Sequence, residues 1–233
     1  MPPDPVSPSP APTVPELIPS ATVLVARDGP DGIQVLAVVR SQGVSFAPGA
    51  LAFPGGVVDP GDWTLAQGLG QGRAQEGEIE PYRLAAIREL FEETGLLLAE
   101  GVELMDGEHL ARCREPLLRG ELDFAGLLAD LGLRPALDSL AHVAHWITPR
   151  SFPRRFTTHF FLAPAPPGQE PRHEAGELTA AFWMNPGEAI EWHRSGRHRL
   201  MLPTLHSCGR LARFATVAEA MAGMGFEFRP APD

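Results

Sequence analysis

The stretch from Pro81 to Gly95 constrains this chain more than any other. Pro81 suits the first turn of a helix, where a missing N–H costs nothing, and Gly95 suits the left-handed position just past its end. At about 100° per residue, Leu84, Ile87, Leu90 and Phe91 fall on one face of the helix so bracketed, while Glu89, Glu92 and Glu93 gather on another. One side must be buried and the other is acidic. Carboxylates spaced i, i+3 and i+4 converge within a few ångströms, as a hard divalent cation with oxygen ligands requires. A solvated acidic face gives the same pattern without an ion, because like charges at this spacing cost only about 0.2–0.5 kcal/mol on an exposed helix.

Period and punctuation set the elements around this helix. Apolar and β-branched residues over 21–26 and 33–40 flank Asp28-Gly29-Pro30-Asp31-Gly32 and predict two strands joined by a turn. Leu51 to Val58 reads as a short strand broken by Gly55 and Gly56. That pair either lets backbone approach backbone or ligand, or forms a tight bulge. Residues 59–80, rich in Gly, Gln, Asp and Glu, read as an inserted loop. Helices are predicted over 108–119 and 121–131, strands over 141–148, 155–163 and 178–184, and helices over 186–194 and 205–224. Residues 164–171, rich in Pro and Gly, are expected to be a loop. The Pro-rich stretch 1–19 cannot build a core and is expected to be a disordered tail, with the domain over 20–190 and a helical extension over 191–233 packed on it.

With 233 residues, 44% of them hydrophobic, the chain suffices for one domain with additions. Its formal charge of -10 disfavours a nucleic-acid polymer as partner, since such binding needs a basic surface. A small anionic ligand held through metal ions and a few arginines is still allowed, and nothing stands against a homodimer. All 19 basic residues are Arg, which a GC-rich coding bias explains as readily as phosphate binding. Cys113 and Cys208 form no Cys-x-x-Cys pair, so zinc or a disulfide framework has no support and a reduced cytoplasm fits. No basic, apolar leader opens the chain and no long apolar run follows, so neither export nor a membrane is expected.

Arg88-Glu89-Leu90-Phe91-Glu92-Glu93-Thr94-Gly95-Leu96, with Phe53-Pro54-Gly55-Gly56 upstream, resembles the second half of the Nudix box, Gly-x5-Glu-x7-Arg-Glu-U-x-Glu-Glu-x-Gly-U with U aliphatic. The resemblance covers residues 20 to 190 and implies an α+β fold, a Nudix-type α/β/α sandwich with a mixed β-sheet and a C-terminal helical appendage. The first half of the box departs from the pattern. Glu80 keeps the spacing to Arg88, yet the box Gly would then fall on Ala74, whereas alignment from Gly56 puts Asp62 at the first acidic position. An insertion explains this at little cost, about 0.6 kcal/mol per doubling of loop length, and leaves both acids in play. The insertion, the run from Gly49 to Pro60, and the run from Phe152 to Phe161 are similar to a narrower Nudix branch that includes peroxisomal coenzyme A diphosphatases. The chain ends in Ala-Pro-Asp, without a Ser-Lys-Leu address.

The resemblance implies hydrolysis of a diphosphate linkage in a small nucleotide-derived substrate, with Mg²⁺ or Mn²⁺ held by Glu89, Glu92 and Glu93 beside Gly56. Arg88 is then expected to orient these glutamates, and Gly55 and Gly56 to let backbone approach metal and phosphates. Among His173, Glu174 and Glu177, which precede the last predicted strand, Glu177 is the preferred general base, against the plain reading of a surface acid. Arg40, Arg154 and Arg155 are candidate phosphate ligands or ordinary surface charges, and Trp146, Phe152 and Trp183 could stack on a base or pack in the core. Coenzyme A or acyl-CoA competes as substrate with ADP-ribose, NDP-sugars and NTPs. A non-catalytic nucleotide sensor is the rival class, and the three retained glutamates weigh against it.

Overall fold

Long β-branched and apolar runs form the centre of the molecule. A computed structural model describes residues 15–44, 47–69, 79–173 and 176–230. Strand β1 (Leu17–Gly29) turns tightly into β2 (Gly32–Arg40), as expected, and is followed by β3 (Leu51–Ala52) and β4 (Gly55–Val57). Helices α1 (Pro60–Leu69) and α2 (Glu80–Thr94) come next, then a small excursion of β5 (Ala99–Glu100), α3 (Gly107–Leu118), α4 (Phe124–Leu131) and β6 (Arg134–Pro135). The chain returns as β7 (Ala141–Ile147), β8 (Arg155–Pro164) and β9 (Leu178–Met184) and ends in α5 (Pro186–Arg194), α6 (Leu202–Leu211), α7 (Val217–Gly223) and β10 (Glu227–Arg229).

The main sheet runs β10-β7-β8-β1-β2-β3, with β4 also on β1 and β9 also on β2. It is mixed, because β1 with β8 and β7 with β10 are parallel while the other pairs are antiparallel. Side chains alternate along each strand, so β1 sends Ala21, Val23 and Val25 to one face and Leu24 and Ala26 to the other. The first face is covered by Leu84, Ile87, Leu90 and Phe91 of α2 with residues of α3 and α4, the second by Ala189, Cys208, Leu211 and Ala220 of the three C-terminal helices. Two helical layers thus enclose one sheet. This is the expected α/β/α sandwich, with the C-terminal helices supplying the second layer.

Four boundaries differ from the sequence reading. Leu17, Ile18 and Pro19 belong to β1, paired with Arg155, Phe156 and Thr157 of β8, so the ordered domain starts inside the expected tail; residues 1–14 lie outside the described residues. The expected loop over 59–80 contains α1, and residues 70–78 lie outside the described residues. The single helix expected over 205–224 is two, because Thr216 caps α7 by accepting from the Glu219 N–H at 3.2 Å while Glu219 reaches back to the Ala215 N–H at 3.0 Å. Finally, Glu227 to Arg229 rejoin the sheet as β10. Both cysteines are free, and among the described residues no helix is long and apolar enough to cross a membrane.

Candidate active site

Gly95, at φ 73°, stops α2 as its sequence demands, its N–H donating to the Phe91 carbonyl. The burial of Leu84, Ile87, Leu90 and Phe91 then fixes the rotation of the helix and aims Arg88, Glu89, Glu92 and Glu93 at β4 and α1. Gly55 and Gly56 lie in β4 beside Thr22 and Ala21 of β1. At Gly55, φ is 156° and a Cβ would lie 2.3 Å from the Ala21 carbonyl oxygen; at Gly56 a Cβ would lie 2.4 Å from the Glu89 carboxyl. The glycine pair therefore marks a close approach of sheet to α2, with the Gly55 N–H donating to Glu93 Oε2 at 3.1 Å.

Arg88 is the hub of the site. Only 6% exposed, it donates from Nη1 to Glu89 Oε1 at 2.9 Å and Glu92 Oε2 at 3.1 Å, and from Nη2 to the Val57 carbonyl at 2.8 Å. Nη2 also reaches Asp62 Oδ2 at 3.0 Å, and Nε reaches Asp62 Oδ1 at 3.2 Å. Of the two acids left open by the sequence, Asp62 meets Arg88, whereas Glu80 pairs with Arg83 at 3.2 Å. Asp62 is placed by α1, whose start follows a capping pattern: Pro60 opens the first turn and Asp62 Oδ2 accepts from the Asp59 N–H at 2.9 Å. Asp59-Pro60-Gly61-Asp62 is the helix-start signal in the sequence, and the Gly and Gln that follow it mask the helix in composition.

Electrostatics sets this cluster apart from a solvated acidic face. Burial pushes the Glu93 carboxyl up to about 8, helped by the neighbouring Glu89. Burial also raises Glu89 to about 7, against the pull of Arg88, and raises Glu92. Burial opposes the charge on Arg88, yet the hydrogen bond to Asp62 and the fields of Glu89, Asp62 and Glu92 more than hold it on. One buried guanidinium faces Asp62, Glu89 and Glu92, with Asp59 3.8 Å away, so the site lacks positive charge.

The three glutamates share a face of α2, but their carboxylates are not gathered at one point as the spacing had suggested. Arg88 bridges Glu89 and Glu92, Glu93 turns to Gly55, and among the described residues no three acids, histidines or cysteines form a ready metal site. The donor set nonetheless fits a hard cation. It offers carboxylate oxygens only, with a single guanidinium among them, and the bare Gly56 backbone leaves the Glu89 carboxyl the room that any Cβ would take.

Other expected residues divide. Arg40, at the end of β2, lowers and Glu177, ahead of β9, raises the Glu93 pKa, so both lie within electrostatic range of the cluster. The Ser41 N–H donates to the Glu177 carbonyl at 2.8 Å and anchors that position, leaving the residue exposed. Arg155 is buried, with Nε on the Thr148 carbonyl at 3.2 Å and Nη1 on the Pro15 carbonyl at 3.0 Å, so these two donors secure the start of β1. Arg154 lies over the Phe156 ring, His173 is exposed, and Glu174 lies outside the described residues. Trp146 packs on the opposite face of the sheet, Phe152 is exposed, and Trp183 donates from Nε1 to Glu170 at 3.1 Å beneath the Arg27 guanidinium.

Comparison with known proteins shows the family. A family model described as the NUDT19 Nudix domain matches residues 66–211, well over half of the chain. Acyl-coenzyme A diphosphatase NUDT19 of Xenopus laevis is 27% identical, the match covering 80% of this chain and 61% of that protein. Its Homo sapiens counterpart is 28% identical over 81% of this chain and 63% of that protein. The chain thus spans about three-fifths of the length of these curated relatives. The crystal structure of a NUDIX hydrolase from Alicyclobacillus acidocaldarius superposes with a TM-score of 0.78 at 29% identity, covering 91% of this chain and 99% of that one.

Proposed function

From the premise that this chain belongs to the NUDT19 Nudix domain family, we propose that it is a divalent-metal-dependent hydrolase that cleaves the diphosphate of coenzyme A or an acyl-CoA. The observation that carries the reading is the largely buried cluster of Glu89, Glu92 and Glu93, the first two tied to Arg88 and the third set against the Gly55-Gly56 approach. Glu89, Glu92 and Glu93, beside Gly56, would hold Mg²⁺ or Mn²⁺. When bound, the metal supplies charge neutralisation at the diphosphate and acidifies water.

The chain's own residues do the rest. Asp62 fixes Arg88, and Arg88 fixes the rotamers of Glu89 and Glu92, so that little reorganisation is left to the moment of reaction. Gly55 holds Glu93 Oε2 through its N–H. Arg40 contributes positive charge where the anionic substrate enters, and the exposed Glu177 carboxylate takes the proton of the attacking water. The acyl-CoA assignment rests on the relatives, since the box residues serve any diphosphate while surrounding loops select the substrate. Phosphorus-product analysis on CoA, acyl-CoA, ADP-ribose, NADH and NTPs is expected to show release of 3′,5′-ADP from CoA substrates. Turnover confined to NTPs would contradict the substrate class.

The raised carboxyls also dictate a pH response. A carboxyl whose folded pKa exceeds its unfolded value stabilises the protein fully below the unfolded pKa, and that stability is lost as pH climbs through the folded value. For Glu89 and Glu93 the loss extends to about 7 and about 8. The half-buried His142 and His159, held down by desolvation to about 4 and about 3, stay neutral above the usual histidine range and do not interfere there. In EDTA, the melting temperature is therefore expected to fall between about pH 6.5 and pH 9, and Mg²⁺ to restore more of it at pH 8.5 than at pH 6.5. A flat profile with no response to Mg²⁺ at either pH would contradict this.

A further inference from the structure

Arg114 stands on α3, in the excursion between the catalytic helix and β7, and is buried. Its guanidinium leaves that excursion for two backbone carbonyls. Nε donates to the Glu92 carbonyl at 3.1 Å and Nη2 to the same oxygen, while Nη1 donates to the Arg172 carbonyl at 2.9 Å. Glu92 lies in the last turn of α2, where carbonyls have run out of helical partners and a cation is favoured by the helix dipole. Arg172 lies five residues before Glu177, with 174 and 175 between them outside the described residues. Two further contacts hold residues 169–172 to the same end of the helix: the Arg172 N–H donates to the Thr94 carbonyl at 2.7 Å, and the Gln169 amide pairs with both the N–H and the carbonyl of Leu97, at 2.9 and 3.2 Å.

We propose that Arg114 is a positioning residue: one planar guanidinium, by gripping the Glu92 and Arg172 carbonyls together, sets the last turn of the catalytic helix against residues 169–172, the stretch ahead of Glu177. The inference rests on the reading of Glu177 as proton acceptor. A guanidinium suits the task because its donors diverge in a fixed plane and reach two acceptors at once, whereas an ammonium is a point donor on a flexible stem. Gln169 serves the same register through Leu97, with a side chain that mimics a backbone pair.

Steady-state hydrolysis of acyl-CoA in saturating Mg²⁺, with melting temperatures, tests this in Arg114→Lys, Gln169→Ala, Glu177→Gln, and each of the first two combined with Glu177→Gln. Gln169→Ala loosens the segment without touching α3 and stands in should Arg114→Lys fold poorly. Both single variants are expected to lower kcat about 10- to 100-fold, in the range of outer-shell losses, with KM within about twofold. Each double variant is expected to be no slower than Glu177→Gln alone, because the positional effect acts through Glu177. If Glu177→Gln is slow but the losses multiply in the doubles, the positioning role is overturned and Glu177 keeps its own. Wild-type kcat in folded Arg114→Lys and in Gln169→Ala overturns it as well. Wild-type kcat in Glu177→Gln overturns the proton-acceptor reading, and this inference with it.

Discussion

Glu93→Gln is expected to slow hydrolysis by roughly a thousandfold, the equivalent of about 4 kcal/mol of transition-state stabilisation, without loss of fold. Glu93 is 9% exposed, its carboxyl is pushed up to about 8, and Oε2 accepts from the Gly55 N–H. At neutral pH and without metal the carboxyl is therefore largely protonated, and glutamine is its close isostere. The amide oxygen can still accept from Gly55, so burial and hydrogen bonding survive. What disappears is the negative charge that a cation would draw out of this position. The variant should melt at least as high as the parent in EDTA at pH 8.5, where the parent carries an uncompensated buried charge, and should lose the stabilisation that Mg²⁺ brings. Full activity in Glu93→Gln would leave this glutamate with a packing role only.

The second large effect is at Arg88. Its guanidinium touches Asp62, Glu89, Glu92 and the Val57 carbonyl, and Asp62 is only 2% exposed. Arg88→Met strips a buried carboxylate of its partner, a change that typically costs about 3–5 kcal/mol. Turnover should fall by at least about a hundredfold as Glu89 and Glu92 lose their fixed rotamers. Replacing both partners with apolar residues removes the orphaned charge, so Arg88→Met with Asp62→Leu should recover most of the melting temperature while activity stays low. Chemical denaturation and initial rates on the two variants separate these roles. Recovery of activity along with stability would mean that Arg88 merely holds the fold.

How much of this was legible in the sequence depends on where the partners lie. The α2 helix, its stop at Gly95 and its split into apolar and acidic faces are local, since period and punctuation within one segment determine them. The β1-β2 hairpin was legible for the same reason. Asp62 was nameable but not decidable, because two acids had defensible spacings and the choice depends on how α1 lies against α2. The carbonyl partners of Arg155 were not legible either, because an arginine bound to backbone looks, in sequence, like an arginine free to meet phosphate. Arg114 gave no signal at all: its partners are backbone atoms far along the chain, and backbone carbonyls carry no side-chain identity. The gathering of carboxylates inferred from helical spacing was only partly right. Spacing fixes where Cβ atoms lie, while the guanidinium among them decides where the oxygens go.

The central claim is that one turn of α2, opposite Gly56, holds the divalent cation on which diphosphate cleavage depends. Anomalous diffraction from a crystal soaked in Mn²⁺ addresses it most directly. A manganese peak bounded by carboxylate oxygens of Glu89, Glu92 and Glu93, with Arg88 shifted toward Asp62, is the predicted result. A peak elsewhere, or none beside these side chains at a Mn²⁺ concentration that supports turnover, would contradict the account.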